Sequence, residues 1–150
     1  MTDRLDIYKV APDAMKALAQ THGYLTTQTA LPKTLIDLAF LRASEINGCA
    51  YCIDMHSRDL IKQGVSADKL FLVPVWREAA WLFDAREQAA LAWAETVTNV
   101  AASHIPDEAY QAALAVFGDK DLADLTVAIA LMNAYNRIGV GFRIKPAARA

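Results

Sequence analysis

The sequence has few of the residues that break or cross-link a chain. Its 150 residues include six glycines, five prolines and two cysteines. Two cysteines cannot form the disulfide framework of a small secreted domain, and a chain of this length buries a sufficient core without one. The sequence also lacks repeats, low-complexity tracts and linkers. These absences predict a single domain over residues 1–150.

Two further absences exclude classes of function. No apolar run reaches the roughly 18 residues that a membrane helix needs, so no membrane association is expected. The N-terminal segment is too polar for a signal peptide, which predicts a cytoplasmic protein with reduced thiols. The net charge is −2, without a basic stripe. Nucleic acid is therefore not an expected partner.

Hydrophobic residues are abundant, at 55% of the chain. Their spacing follows helical periods and strand signals are weak, which predicts an all-α domain of about six to seven helices with a core over about 15–143. The expected helices cover 15–20, 32–46, 49–63, 67–72, 84–102, 107–117 and 120–137, while 5–10 and 24–30 are expected to be extended or loop. Trp76, Trp81 and Trp93 are expected to fill the core. The apolar surplus also predicts a homo-oligomer.

The segment from Glu45 to His56 carries the candidate chemistry. Glu45, Cys49, Cys52 and His56 follow one another at steps of four, three and four, which on a continuous helix places them on one face. Gly48 interrupts that continuity, so Glu45 is the least secure member. Both cysteines are expected in the first turn of a helix, where unpaired backbone N–H groups favour the reactive thiolate.

This pattern supports a complete thiol redox cycle. His56, one turn after Cys52, is placed to take its proton. Cysteines three apart on a helix have Cα atoms roughly 5 Å apart, which a disulfide tolerates. One thiolate attacks a peroxide and becomes a sulfenic acid, and the other displaces water to form the disulfide. The alternatives are a zinc site that adds His22 or His104, and an inert buried pair.

The stretch Leu41 to His56 resembles the signature of AhpD-like alkylhydroperoxidases, within the carboxymuconolactone decarboxylase superfamily. Further matching stretches are 76–78, 87–95 and 133–137, and the resemblance covers about 15–143. It implies an all-helical fold that assembles as a trimer or hexamer. It also implies an enzyme that reduces alkyl hydroperoxides and needs no cofactor.

The resemblance assigns roles to individual residues. Cys52 becomes the sulfur that attacks peroxide and Cys49 the resolving partner, with His56 as the proton-transfer group. Asp37 stands where the family has a relay glutamate, twelve residues before the first cysteine, and Glu45 is the alternative carboxylate. A dithiol of thioredoxin-like or lipoyl type is the expected reductant. Two other functions stay open: thiol–disulfide exchange with little peroxidase activity, and a decarboxylase-like reaction.

Overall fold

The computed structural model describes residues 4–148, and it is all-α, as the periodicity predicts. Within this part of the chain there are eight α-helical segments, one more than the largest expected number. They are α1 (Ile7–Val10), α2 (Pro12–Thr27), α3 (Lys33–Asn47), α4 (Ala50–Lys62), α5 (Ala67–Phe71), α6 (Ala85–Thr98), α7 (Val100–Ser103) and α8 (Asp107–Gly141). Two 3₁₀ turns, Val73–Val75 and Ala80–Leu82, connect α5 to α6.

Local sequence signals set several helix ends. Ser66 caps α5, and Asp84 and Glu87 form a reciprocal capping box at the start of α6. Gly48 ends α3 at a φ of 66°, in the left-handed region that favours glycine. Gly118 has a φ of 70° and breaks α8 into two helical halves, as its position in the sequence predicts.

The prediction for the N-terminal segment is wrong. Residues 5–10 contain the single turn α1, because the Asp6 side chain accepts a hydrogen bond from the backbone N–H of Tyr8. The next helix is also longer than the expected 15–20. It begins with Pro12 at its first position and continues through Gly23 to Thr27. The expected loop over 24–30 therefore begins only after Thr27.

The expected helix over 84–102 is two helices. The backbone of Asn99 leaves the helical region, and its side-chain amide donates to the Glu95 carbonyl. That bond satisfies a carbonyl at the end of α6, so the helix ends at Thr98 and α7 follows as a separate turn. The last helix runs to Gly141 rather than 137.

Helix α3 lies at the centre of the molecule. Its residues 35–41 are all buried, so it is covered on every side in this region. One apolar cluster joins α3 to α6 and α8 and includes both cysteines, and a second joins α3 to α4, α5 and the 3₁₀ turns. The central helix also carries polar side chains, and two of them, Asp37 and Glu45, lie in separate polar regions.

The three tryptophans differ in their exposure to solvent. Trp76 and Trp93 are buried, but Trp81 is 79% exposed, so the expectation that it fills the core is wrong. Trp81 lies in a 3₁₀ turn that packs against the domain through neighbours such as Phe83, which leaves its own ring in solvent. No helix in residues 4–148 combines the length and apolar character that a membrane span requires.

Candidate active site

The two cysteines lie at the N-terminus of α4 and form a disulfide. Cys49 is the N-cap residue, and its sulfur accepts a hydrogen bond of 3.4 Å from the backbone N–H of Cys52. Their Cα atoms are 5.3 Å apart, which matches the expected spacing. Both side chains are buried, at 1% and 2% exposure. A backbone N–H group at the N-terminus of α4 therefore points at the Cys49 sulfur.

A network of polar side chains fixes the turn before Cys49. Asn47 donates from its amide to Asn133 and Asn136 of α8, at 3.0 and 2.9 Å. Asn136 in turn donates to the hydroxyl of Ser44, which is buried and bonded to the Phe40 carbonyl. The buried amides are thus satisfied, and they tie the C-terminus of α3 to α8.

His56 lies one turn after Cys52 on α4 and faces Asp37 of α3. The side chain is 3% exposed, and its Nδ1 is 3.7 Å from Oδ1 of Asp37. Within residues 4–148, neither ring nitrogen has a hydrogen-bond partner. A buried, unsatisfied imidazole is costly, and such contacts in catalytic sites often shorten only when substrate binds.

Asp37 is held as a charged carboxylate. Its Oδ2 accepts hydrogen bonds from Lys33 Nζ at 2.5 Å and from Gln63 Nε2 at 2.6 Å. Burial raises the pKa of this carboxyl, but the polar contacts from His56, Lys33 and Gln63 outweigh burial, so the pKa lies below its ordinary value. The negative charge beside His56 therefore persists at neutral pH.

Glu45 lies in a different polar cluster. Its carboxylate pairs with Arg42 at 3.1 Å, and Arg42 also donates to Glu95. Burial raises the pKa of Glu45 to about 6, although Arg42 acts in the opposite direction. The left-handed residue Gly48 ends α3 before Cys49, so the face shared by the two cysteines and His56 does not continue back to Glu45. The structure brings together Cys49, Cys52, His56 and Asp37 and places Glu45 apart.

A cavity of about 240 Å³ opens beside Cys52 and His56. We call it the Cys52 cavity; most of its lining is apolar or aromatic, and its walls include Tyr8, Met15, His22, Tyr51, Met55, Met132, Tyr135 and Ile144. A cavity of this composition suits an organic molecule rather than a charged one.

A second depression, of about 370 Å³, adjoins the disulfide at Cys49. This Cys49 groove is lined by residues of the α3–α4 turn, the end of α8 and the C-terminal tail, among them Gly48, Cys49, Ala50, Val140, Arg143, Lys145 and Pro146. The tail is held by a bond of 3.0 Å from the Ala147 N–H to the Asp54 carboxylate. Each sulfur thus faces its own depression.

Gly139 of α8 packs directly on the disulfide. A Cβ atom at this position would lie 2.8 Å from the Cys49 sulfur and 3.6 Å from the Cys52 sulfur. Real Cβ contacts are longer than the first distance, so glycine is what permits α8 to approach the cysteines so closely. The glycine also contributes to the walls of both the Cys52 cavity and the Cys49 groove.

Comparison with known proteins identifies the family of this chain. The model of the Carboxymuconolactone decarboxylase family matches residues 12–96, a segment that contains all five predicted site residues. The chain belongs to this family. The uncharacterized protein YdfG of Bacillus subtilis (strain 168) is similar in sequence to this family member, with 31% identity over 149 residues that cover 99% of the chain and 100% of YdfG.

Two solved structures resemble this AhpD-like domain. A protein of unknown function from Agrobacterium tumefaciens, named as a candidate antioxidant defence protein AhpD, superimposes with a TM-score of 0.93 at 37% identity, covering 99% of this chain and 100% of that one. An uncharacterized peroxidase-related protein from Silicibacter sp. TM1040 has a TM-score of 0.82 at 22% identity, with 94% and 74% coverage. The second likeness concerns the fold alone.

Sequence reasoning missed the cavity residues that come from the two ends of the chain. Tyr8, His22, Gly139 and Ile144 approach the cysteines from distant positions, which local spacing cannot reveal. For His22 the sequence did contain a signal, because Met15, Ala19 and His22 follow one another at steps of four and three. All three line the Cys52 cavity. The zinc alternative finds no set of ligands: within residues 4–148 no three His, Cys, Asp or Glu side chains form a metal-binding group.

Proposed function

We propose that this protein is a thiol peroxidase that reduces organic hydroperoxides, with Cys52 as the attacking sulfur and Cys49 as the resolving one. The observation that carries the proposal is the position of Cys52. Its sulfur lies at a helix N-terminus, against an organic-sized cavity, in register with a buried histidine and a charged carboxylate. The likeness to the Agrobacterium tumefaciens protein supports it.

Proton transfer uses His56 and Asp37. His56 accepts the proton of the Cys52 thiol, and the carboxylate of Asp37, 3.7 Å away, stabilises the imidazolium that results. Lys33 and Gln63 hold the carboxylate in place through the hydrogen bonds to Oδ2. We assign the relay to Asp37 rather than to Glu45, because Glu45 pairs with Arg42 in the other cluster.

The cycle balances in three steps. The Cys52 thiolate attacks the terminal peroxide oxygen, the O–O bond breaks, and sulfenic acid and an alcohol form once the alkoxide takes the proton that the thiol lost. Cys49 then attacks the sulfenic sulfur, which releases water and closes the disulfide. A dithiol reductant finally opens the disulfide by exchange and is itself oxidised to a disulfide.

We place the entry of the reductant in the Cys49 groove. Both sulfurs are buried, so a flat protein surface does not reach them, whereas the groove of about 370 Å³ leads to Cys49. A dithiol of lipoyl type, or an extended thioredoxin-like loop, fits this route. Opening the disulfide at Cys49 would release Cys52 as the thiolate on the side of its cavity.

We further propose that the protein is a homo-oligomer, a trimer or hexamer. Phe71 and Trp81 are 74% and 79% exposed, and Val75 between them in sequence is also exposed. Large apolar side chains this exposed on neighbouring segments are typical of an interface. Sedimentation velocity tests this assembly, and a monomer at micromolar concentration would contradict it.

A single experiment tests the peroxidase proposal. The reduced protein is treated with tert-butyl hydroperoxide, and the oxidation state of Cys49 and Cys52 is followed by mass spectrometry. We expect a Cys49–Cys52 disulfide in the wild type, a sulfenic acid on Cys52 in Cys49→Ser, and no peroxide consumption by Cys52→Ser. If Cys52→Ser consumes peroxide at the wild-type rate, the mechanism is wrong. If wild type ignores peroxide but exchanges with dithiols, it is an exchange protein.

A further inference from the structure

A second histidine lines the Cys52 cavity. His22 comes from α2 and shares one face of that helix with Met15 and Ala19, both of which also line the cavity. It lies outside the segment from Glu45 to His56 that carries the cysteines. Nothing in the mechanism proposed above uses it.

His22 and His56 both lie against the phenyl ring of Phe40. The His22 ring stacks on Phe40 with centroids 6.1 Å apart, and Phe40 meets His56 at 5.1 Å. Phe40 is fully buried, so its ring is held in place against both imidazoles. The cavity therefore has His56 and Cys52 on α4 as one wall and His22 on α2 as another.

The surroundings keep His22 uncharged at neutral pH. Burial lowers its pKa below the ordinary value of 6.5; Asp37 acts in the opposite direction, while His56 and Lys33 add to the lowering. A neutral imidazole has one N–H donor and one acceptor. His22 can therefore donate a hydrogen bond into the cavity without adding a positive charge beside His56.

We propose that His22 is a catalytic residue that donates a hydrogen bond to the departing oxygen of a hydroperoxide bound in the Cys52 cavity. This inference rests on the proposed function. When the Cys52 sulfur attacks the terminal oxygen, the S–O bond forms, the O–O bond breaks, and negative charge develops on the alkoxide oxygen. The donor stabilises this charge until the alkoxide takes the proton that left the Cys52 thiol and was held by His56.

The positions of His56 and His22 suit them to different roles. His56 is on the same helix as Cys52, one turn away, and is suited to the sulfur's proton. The departing oxygen lies on the far side of the attacked oxygen from the sulfur, so a donor on another wall of the cavity is better placed to reach it during the attack than a group beside the sulfur. His22 on α2 meets that condition within the same cavity.

The test compares substitutions that separate the loss of the hydrogen-bond donor from a change in the shape of the side chain. His22→Phe keeps an aromatic ring against Phe40 but removes the donor, and His22→Gln keeps an N–H donor. His104→Asn is the matched control, because His104 is exposed and has a left-handed backbone that asparagine tolerates. For each reduced protein, the rate of Cys52 oxidation by tert-butyl hydroperoxide and the rate of its alkylation by iodoacetamide are measured.

We expect His22→Phe to slow oxidation by at least about tenfold while alkylation stays within about twofold of wild type. His22→Gln should recover part of the loss, and His104→Asn should match wild type in both assays. Unchanged alkylation also shows that the variant is folded around Cys52.

Three outcomes overturn the inference while leaving the proposed function intact. The first is oxidation of His22→Phe at the wild-type rate. The second is a parallel loss of oxidation and alkylation, and the third is an equal loss in the Phe and Gln variants, since either would mean that His22 acts through structure. If the wild-type protein itself is not oxidised, the proposed function fails, and that result is distinct from all three.

Discussion

Two carboxylates on the central helix α3 have pKa values shifted in opposite directions. Asp37 and Glu45 are both largely withdrawn from water, and each has a basic partner. Yet the pKa of Asp37 lies below its ordinary value, while that of Glu45 is raised to about 6. Burial acts in the same direction on both, so burial does not explain the difference.

The difference lies in the neighbours. Asp37 receives two hydrogen bonds on one oxygen and has His56 beside the other, and all of these contacts favour the charged form. Glu45 shares its cationic partner, Arg42, with Glu95, whose own charge raises the pKa of Glu45 further. The carboxylate beside His56 is therefore kept charged by Lys33 and Gln63, whereas Arg42 in the other cluster is shared between two acids.

The largest expected effect concerns activity. Asp37→Asn removes the charge beside His56, so we expect the rate of Cys52 oxidation by tert-butyl hydroperoxide to fall roughly 100-fold at pH 7. Glu45→Gln makes the same chemical change in the other cluster and should leave the rate within about twofold. Stopped-flow measurement of both variants decides between the carboxylates. A larger loss in Glu45→Gln would reverse the assignment of the relay.

A smaller effect is expected on stability, and it tests how closely α8 packs against the disulfide. Gly139→Ala places a Cβ 2.8 Å from the Cys49 sulfur, so we expect a loss of about 2 to 3 kcal/mol in the free energy of unfolding. Gly141→Ala is the control, because a Cβ there meets nothing within 4 Å. Urea denaturation of the oxidised proteins measures both changes. Equal stability of the two variants would contradict the close approach.

The smallest effect appears in the pH dependence of stability. Because the folded pKa of Glu45 is about 6 against an ordinary value of 4.5, the folded protein binds more protons than the unfolded chain in that interval. The contribution of Glu45 to stability is therefore present below pH 4.5 and lost as the pH rises to about 6, a change of up to about 2 kcal/mol.

Asp37 changes stability with pH in the opposite direction. Its folded pKa is lowered, so its stabilising contribution is present above the ordinary value of 3.8 and is lost as the pH falls through the folded pKa. Chemical denaturation between pH 4 and 7 should thus show a flatter profile in Glu45→Gln than in wild type. A profile that keeps the wild-type slope would mean that Glu45 titrates normally.

The sequence predicts well those features that depend on neighbouring residues. Helical periodicity, the cap at Ser66 and the helix ends at Gly48 and Gly118 all require only local conformational preferences. The placement of the cysteine pair at a helix N-terminus follows from the same local reasoning. The resemblance to the family signature then predicts the fold of the whole domain.

Other parts of the site depend on contacts between distant residues. Gly139 contacts a sulfur ninety positions earlier in the chain, and His22 reaches the cavity only because α2 is longer than its pattern indicates. The choice between Asp37 and Glu45 could not be made from spacing. It depends on the direction in which α3 ends at Gly48 and on Gln63, a residue at the far end of α4.

The short spacing of the disulfide has a consequence for the durability of the protein. Cys49 and Cys52 are three positions apart, so oxidation closes a very small loop. In the chain-entropy model a loop of this size restricts the unfolded ensemble by only about 2 kcal/mol, against nearly 5 for a loop of about 100 residues. Reduction of the disulfide therefore loses less than half of the cross-link stabilisation that a long-loop disulfide would lose. The loss of about 2 kcal/mol shifts the folding equilibrium roughly 30-fold, which still leaves a domain of ordinary stability folded.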